Sequence, residues 1–229
     1  MTKEKLKIRN SQIITTYGVG SVIDLDGKSF VGADISRWPI DASTHIYLER
    51  LSEKLGVAHF KKPPVQIAFS NNNVSLPYPY FPRWMFCKDS KCRTFYEYTY
   101  KNINENDGKL LCIDCGKETL SPIRFVACCK DGHLQEVNWQ YYIHKNSKNN
   151  CSLKKFKFKS TGKGGGLSAN IVSCECGASA NLRGILQQPI GKCFGKQPWE
   201  NSMDYEIKEC KNDVKGYLRG GSQLYKPTL

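Results

Sequence analysis

The segment between residues 87 and 116 decides how this protein folds. It contains Cys87-Lys88-Asp89-Ser90-Lys91-Cys92, then nineteen residues, then Cys112-Ile113-Asp114-Cys115-Gly116. Two thiolates that lie two to four residues apart can bind one metal ion, and a second such pair completes the tetrahedron that Zn²⁺ prefers. The spacing predicts a structural zinc site at Cys87, Cys92, Cys112 and Cys115, with no coordination position left for a catalytic water. The simpler alternative is four unrelated buried cysteines.

The residues around this segment predict the fold class. Phe95, Tyr96, Tyr98 and Tyr100 have the spacing of a β-strand, as the hairpin of a zinc ribbon requires. The proline-rich stretch 77–82 favours an extended connector. We therefore expect an α+β protein in which a small mixed N-terminal unit (residues 1–80) precedes a β-rich, zinc-ribbon-containing region (residues 81–229).

In the N-terminal unit, patterns of apolar residues predict short elements. Strands are expected at 13–14, 22–25 and 29–31, with a turn at Asp26-Gly27 between the last two. A helix is expected over residues 47–55, ending at Gly56. The glycine string Tyr17-Gly18-Val19-Gly20-Ser21 lacks the Gly-Lys-Ser/Thr ending of a phosphate loop. It therefore predicts a tight backbone turn.

The remaining cysteines suggest further metal sites. The N-terminus is polar and no apolar stretch has the length of a membrane span, so we expect a cytoplasmic protein whose eleven cysteines stay reduced. Metal ligation then explains them better than disulfides do. Sequence order suggests two additional sets of ligands, with buried cysteines and a hydrogen-bonded core histidine as the alternative. One set is Cys129, His133, His144 and Cys151, and the other is Cys174, Cys176, Cys193 and Cys210.

The net charge points to an anionic partner. There are 34 Lys and Arg against 21 Asp and Glu, a formal charge of +13, and no acidic residue occurs between Glu136 and Glu175. In a strand, the alternation over residues 155–159 would bury two phenylalanines and place three lysines on one face. Nearby aromatic residues at 139, 141 and 142 suit the stacking of single-stranded bases. We predict sequence-tolerant DNA binding by the lysines of this region, against the alternative of a solvated charged face; these are Lys145, Lys148, Lys154, Lys155, Lys157, Lys159 and Lys163.

Enzymatic function has little support in the sequence. No Walker motif, His-Glu-x-x-His or Gly-x-Ser-x-Gly string is present. A His-Asn-His-type nuclease built on Asp131, His133, Asn138 and His144 is the best catalytic alternative, but His133 is equally explained as a zinc ligand. We therefore expect a protein that is not an enzyme. A pure protein-interaction scaffold, whose lysines meet an acidic partner surface, remains the competing class.

Several strings in a fixed order together resemble one family. The strings are Arg9-x-Ser11-Gln12-x-x-x-Thr16-Tyr17-Gly18-Val19-Gly20, Phe81-Pro82-Arg83-Trp84-x-Phe86-Cys87, Pro122-x-Arg124-Phe125-Val126-x-x-Cys129-x-Asp131-Gly132-His133-Leu134, Cys193-x-Gly195-x-x-Pro198-Trp199 and Leu218-Arg219-Gly220-Gly221-Ser222. In this order they resemble the N-terminal part of DrmB-like proteins, the helicase-associated proteins of the DISARM anti-phage defence system.

The resemblance implies a non-catalytic subunit in antiviral defence. Such a subunit would associate with a DrmA-like helicase and form with it a complex that engages phage DNA. DrmB-like proteins are normally much longer, and this chain stops shortly after the Arg219-Gly220-Gly221-Ser222 string. The resemblance therefore also implies a split or truncated member, with a separate chain supplying the missing C-terminal part.

Overall fold

The computed structural model describes residues 9–39, 45–64, 76–99, 109–147, 151–160, 166–200 and 209–221. Its architecture is strand-rich α+β, which confirms the predicted fold class. The helices are α1 (Asn10–Ile14), α2 (Glu49–Leu55) and α3 (Trp139–His144), with 3-10 turns at Ile35–Arg37 and Gly166–Ala169. The strands are β1 (Val22–Leu25), β2 (Lys28–Val31), β3 (His45–Ile46), β4 (Phe60–Lys61), β5 (Trp84–Cys87), β6 (Thr94–Glu97), β7 (Leu120–Pro122), β8 (Phe125–Cys129), β9 (Leu134–Gln135), β10 (Lys155–Ser160), β11 (Asn170–Cys174), β12 (Ser179–Asn181), β13 (Pro189–Lys192) and β14 (Asp213–Leu218).

The N-terminal elements match the predictions except at the first one. The β1–β2 hairpin turns through Asp26 and Gly27, both with positive φ, and α2 ends at Gly56, which is left-handed. The predicted strand at residues 13–14 is wrong, because these residues end helix α1. The backbone N–H of Arg9 donates to Gln12 Oε1 at 2.9 Å, and this capping outweighs the β propensity of two isoleucines.

The glycine string forms the predicted tight turn. Gly20 has a φ of +78°, and a Cβ there would lie 3.2 Å from the Trp199 ring. A Cβ on Gly32 would lie 2.3 Å from the Gly18 carbonyl oxygen, so the two backbone segments touch. The glycines therefore allow the N-terminal hairpin to pack against the Pro198-Trp199 segment.

The largest sheet among the described residues has six strands in the order β12-β11-β10-β6-β5-β7. Strand β10 lies antiparallel between β6 and β11, with Phe156 opposite both Phe95 and Cys174. Its phenylalanines Phe156 and Phe158 are buried against the same core as Trp139 of α3. The alternation of β10 therefore gives the sheet a core face and a lysine face, as the sequence predicted.

A second sheet, β13-β14-β8-β9, packs on this core through residues such as Val214, Ala127 and Ile190. Strands β8 and β14 pair along five residues. Just beyond β14, the Arg219 guanidinium donates to the carbonyls of Pro122 (2.8 Å) and Ile123 (2.6 Å) and forms an ion pair with Asp24 (2.9 Å). Arg219 thus joins the two sheets to the N-terminal hairpin.

Candidate metal centres and basic surface

Cluster I consists of Cys87, Cys92, Cys112 and Cys115, the four predicted ligands of the first site. Cys87 ends β5, Cys92 lies in the turn before β6, and the other two lie in a turn that precedes β7. The Sγ atoms of Cys87 and Cys115 are 3.7 Å apart, as are those of Cys92 and Cys112. The turn of the β5–β6 hairpin therefore presents the first pair of ligands. The sequence-based expectation instead places the hairpin of a zinc ribbon between the two pairs.

Polar residues surround cluster I. The hydroxyls of Thr119 and Thr94 lie 2.9 Å and 3.2 Å from the Sγ atoms of Cys87 and Cys92. Thr94 also donates to Asp114 Oδ2, and Lys157 Nζ donates to the Cys92 carbonyl at 3.1 Å. Such outer contacts fix the orientation of metal ligands.

Cluster II consists of Cys129, His133, Cys193 and Cys210. The turn between β8 and β9 supplies the first two, with Cys129 Sγ 3.4 Å from His133 Nδ1. Cys193 follows β13 and Cys210 precedes β14, and the backbone N–H of Gly195 donates to Cys193 Sγ at 3.3 Å. Cluster II therefore joins the ends of two hairpins in the second sheet.

Cluster III consists of His144, Cys151, Cys174 and Cys176. His144 lies at the end of α3, with Nε2 3.3 Å from Cys176 Sγ and Nδ1 2.7 Å from the Gln140 carbonyl. That second contact fixes the tautomer with a proton on Nδ1 and leaves Nε2 to face the cluster. Cys151 Sγ lies 3.7 Å from Cys174 Sγ at the end of β11.

The structure groups the last eight candidate ligands differently from the sequence-based sets. Cys129 and His133 meet Cys193 and Cys210, while His144 and Cys151 meet the Cys174–Cys176 pair. The predicted set of two cysteines and two histidines and the predicted all-cysteine set are both wrong. The sequence-based sets follow chain order, but the pairing of β8 with β14 brings two distant pairs together, and the ligands of cluster III lie between those pairs along the chain. Cys128 belongs to none of the groups found among the described residues.

The spacing of the ligand atoms fits zinc. Tetrahedral Zn–S bonds of about 2.3 Å place two sulfurs about 3.8 Å apart, and a sulfur and a nitrogen about 3.6 Å apart. Two sulfur pairs of cluster I and the Cys151–Cys174 pair of cluster III are 3.7 Å apart, and within each cluster all ligand atoms lie within 4.8 Å of one another. Burial raises the pKa of Cys112 and of Cys193 to about 12, so ionising either thiol requires a cation beside it. All eleven cysteines lie in the described part of the chain, and none of them forms a disulfide.

The predicted lysine surface is partly neutralised. Lys155 and Lys157 both pair with Asp114, which lies between two ligands of cluster I, and Lys157 Nζ is 3.5 Å from its carboxylate. Their charges are therefore compensated by a carboxylate from another part of the chain, which the absence of acids between Glu136 and Glu175 could not reveal. Lys145, Lys154 and Lys159 are exposed, and the described residues provide no carboxylate for them. Lys148 and Lys163 lie outside the described residues.

The aromatic residues expected to stack on bases have different environments. Trp139 and Tyr142 are buried in the core, which excludes them as stacking platforms. Tyr141 alone of the three is exposed, at 50%. Helix periodicity explains the difference, because residue 141 points away from the face that packs on the sheet.

The residues of the alternative nuclease site are separated. His133 belongs to cluster II and His144 to cluster III. The Asn138 side chain caps α3 by accepting the backbone N–H of Tyr141 at 3.0 Å. The three residues therefore have structural partners of their own, and no arrangement of the His-Asn-His kind is formed.

The fold and these clusters define a strand-rich α+β protein with three candidate metal centres of four ligands each. Residues 9–226 match the family described as a domain of unknown function (DUF8724), and the chain belongs to that family. The chain is also 28% identical over 212 residues to the DISARM protein DrmB of Bacillus paralicheniformis (strain ATCC 9945a / NCIMB 11709 / CD-2). That match covers 90% of this chain and 36% of the relative, and it confirms the DrmB-like resemblance of the sequence motifs. In the described part of the chain, no helix has the length and apolar character needed to cross a membrane.

Proposed function

We propose that this protein is a zinc-stabilised, non-catalytic, DNA-binding and helicase-docking subunit of a DISARM-like anti-phage defence complex. The match to DrmB along 90% of the chain is the observation that carries the defence role. This chain spans about a third of the length of that relative. We therefore propose that an additional segment, in the same or another polypeptide, completes the assembly.

Zinc in clusters I to III has a structural role in this proposal. One cluster offers four thiolates and two offer three thiolates and one imidazole, sets that suit zinc and fill its four positions. With zinc bound, cluster I would carry a charge of about −2 and clusters II and III about −1 each, so the net charge of +13 would fall to about +9. The basic surface therefore persists in the metal-bound protein.

DNA binding is supported by the exposed lysines Lys145, Lys154 and Lys159 and by the net charge of +13. The test is fluorescence anisotropy of the 229-residue chain with single-stranded and duplex DNA. We expect the affinity to fall roughly tenfold or more between 50 and 200 mM salt. An affinity that does not change with salt would contradict DNA binding through phosphate contacts.

A protein-interaction role is favoured by the exposed apolar surface of α2. Tyr47 is 73% exposed and Leu55 58% exposed, and a shallow groove beside the helix is lined by Leu48, Glu49 and Glu53. An apolar segment with basic residues complements this groove in both polarity and charge. We propose that the DrmA-like helicase contributes such a segment.

Two pairs of substitutions separate DNA binding from helicase docking. Lys154→Glu with Lys159→Glu should weaken DNA binding and leave helicase co-purification intact. Leu51→Asp with Leu55→Asp should have the opposite effect, and all four side chains are exposed, so the fold should tolerate the changes. Lys155 and Lys157 are unsuitable for this test because their reversal would disturb cluster I. Retained DNA binding by the lysine variant together with loss of the helicase would favour the pure scaffold.

A further inference from the structure

A polar cavity of about 240 Å³ lies between the end of α3, strand β12 and the turn that leads into β13. Among the described residues that line it, the charged side chains are Lys145 and Arg183, both cationic and exposed. The lining also includes amide and hydroxyl groups, which belong to Asn146, Ser179, Asn181 and Gln188. The cavity thus combines two positive charges with several hydrogen-bond donors and no carboxylate.

Hydrogen bonds of the backbone fix the position of the cavity wall that carries Arg183. The Arg183 N–H donates to Asn181 Oδ1 at 2.6 Å, and its neighbour Leu182 is fully buried. The turn continues with Gly184 at a φ of +82° and closes when the Gln188 N–H donates to the Gly184 carbonyl at 2.9 Å. The guanidinium therefore projects from a fixed base, which reduces the entropy lost when a ligand binds.

The Lys145 side is held by an aromatic ring. Lys145 Nζ lies 4.9 Å from the centroid of the Tyr142 ring, and the Tyr142 hydroxyl donates to the Asn181 carbonyl at 2.9 Å. Tyr142 thereby connects the two walls of the cavity, since Asn181 also accepts from Arg183. A planar guanidinium and an ammonium on opposite walls suit an oxyanion such as phosphate.

Tyr141 does not line the cavity but lies next to it on α3. It precedes Lys145 by one helical turn, and its ring lies 3.6 Å from the position a Cβ would take on Gly191, next to the lining residue Ile190. Its ring is half exposed, as a base-stacking platform must be. We infer that Lys145, Arg183 and Tyr141 form a subsite for one nucleotide of single-stranded DNA, with phosphate between the two cations and the base stacked on Tyr141.

This inference rests on the proposed DNA binding and specifies the residues that would bind one nucleotide. The test uses a fluorescent oligothymidylate and the full chain in anisotropy titrations at several salt concentrations. Arg183→Glu is expected to weaken binding about tenfold and to reduce the salt dependence by about one phosphate contact. Tyr141→Ala is expected to weaken binding about tenfold, and Tyr141→Phe to bind like the parent because it keeps the stacking face.

Lys54→Glu is the matched control, because Lys54 is an exposed cation on α2 and does not line the cavity. Equal losses for Arg183→Glu and Lys54→Glu would show a general charge effect and overturn the subsite, as would unchanged binding by Tyr141→Ala. Unchanged circular dichroism and zinc content establish that each variant is folded. A parent chain that binds no oligothymidylate at low salt would instead overturn the proposed DNA binding itself.

Discussion

At the scale of single residues, contacts in the structure explain several residues of the sequence strings that resemble DrmB-like proteins. Gly20 of the first string accommodates Trp199 of the fourth, so two strings far apart in the chain meet at one point. Gly18 of the first string also lies against Gly32. Arg83 from the Phe81-Pro82-Arg83-Trp84 string forms ion pairs with Glu97 and Glu136. Conformational freedom and charge, more than hydrophobicity, account for these positions.

Glu136 should make stability depend on pH. Its side chain is 18% exposed, and burial raises its pKa from about 4.5 to about 7, although Arg83 opposes the shift. The folded state favours the protonated form of Glu136. The stability that this protonation adds is therefore fully present below pH 4.5 and is lost as the pH rises through 7. In the parent protein, Glu136 should lower the free energy of unfolding by about 3 kcal/mol over this range, and Glu136→Gln should abolish that decrease. Urea denaturation at intervals of half a pH unit measures the effect.

Glu118→Gln is the control for this prediction, because Glu118 is exposed. It should leave the pH dependence of unfolding as it is in the parent. A Glu136→Gln protein whose stability still falls by the same amount between pH 4.5 and 7 would show that another group is responsible.

At the scale of elements, hairpin turns place the candidate ligands. Cysteines or histidines occupy the β5–β6, β8–β9 and β11–β12 turns, and each turn meets a second pair of ligands from elsewhere in the chain. Strand β10 connects this arrangement to the basic surface, since Lys155 and Lys157 contact Asp114 beside cluster I. The same contacts withdraw these two lysines from the charges available to a partner.

Zinc stoichiometry can test the grouping of ligands into clusters. Cys129→Ser and Cys210→Ser should each remove one zinc, and the double variant should also remove only one, because both residues belong to cluster II. The grouping in chain order instead predicts the loss of two. Elemental analysis of purified protein gives the count, and Cys128→Ser should keep the full zinc content. Loss of two zinc ions from the double variant would contradict the grouping.

At the scale of the whole molecule, long-range contacts hold three substructures together. Arg219 joins the N-terminal hairpin to the β7–β8 link, while the core around Trp139 and Phe95 joins the two large sheets. The N-terminal hairpin also contacts the chain near residue 80, where the backbone N–H of Val31 donates to the Pro79 carbonyl at 2.9 Å. The predicted domain boundary at that position stays a prediction.

Arg219→Lys should destabilise the protein although it keeps the charge. Lysine cannot donate to two carbonyls and a carboxylate with the planar geometry of a guanidinium. Two part-buried carbonyl oxygens would lose a donor, at a cost of about 2 kcal/mol in the free energy of unfolding. Thermal and urea denaturation measure the loss. Arg37→Lys, on the exposed 3-10 turn, should be neutral, and a neutral Arg219→Lys would contradict the assigned role.

Metal removal should unfold most of the β-rich region. Each cluster joins segments that are distant in the chain, up to 81 residues apart for Cys129 and Cys210, and binding free energy at such sites is also folding free energy. A strong chelator should abolish the near-ultraviolet circular dichroism signal and weaken DNA binding, and added Zn²⁺ should restore both. A native near-ultraviolet spectrum in protein with less than one zinc per chain would contradict this prediction.

The sequence by itself determined the α+β class, the β1–β2 hairpin, the end of α2 at Gly56, the two faces of β10 and the identity of the candidate ligands. These features depend on local spacing, turn chemistry and alternation, which act over a few residues. Only the tertiary structure decided which ligand pairs share a cluster, that Asp114 neutralises Lys155 and Lys157, and that Lys145 and Arg183 line one cavity. Those outcomes depend on which strands pair and which helix face packs on the core, and such long-range choices leave no mark on the spacing of neighbouring residues.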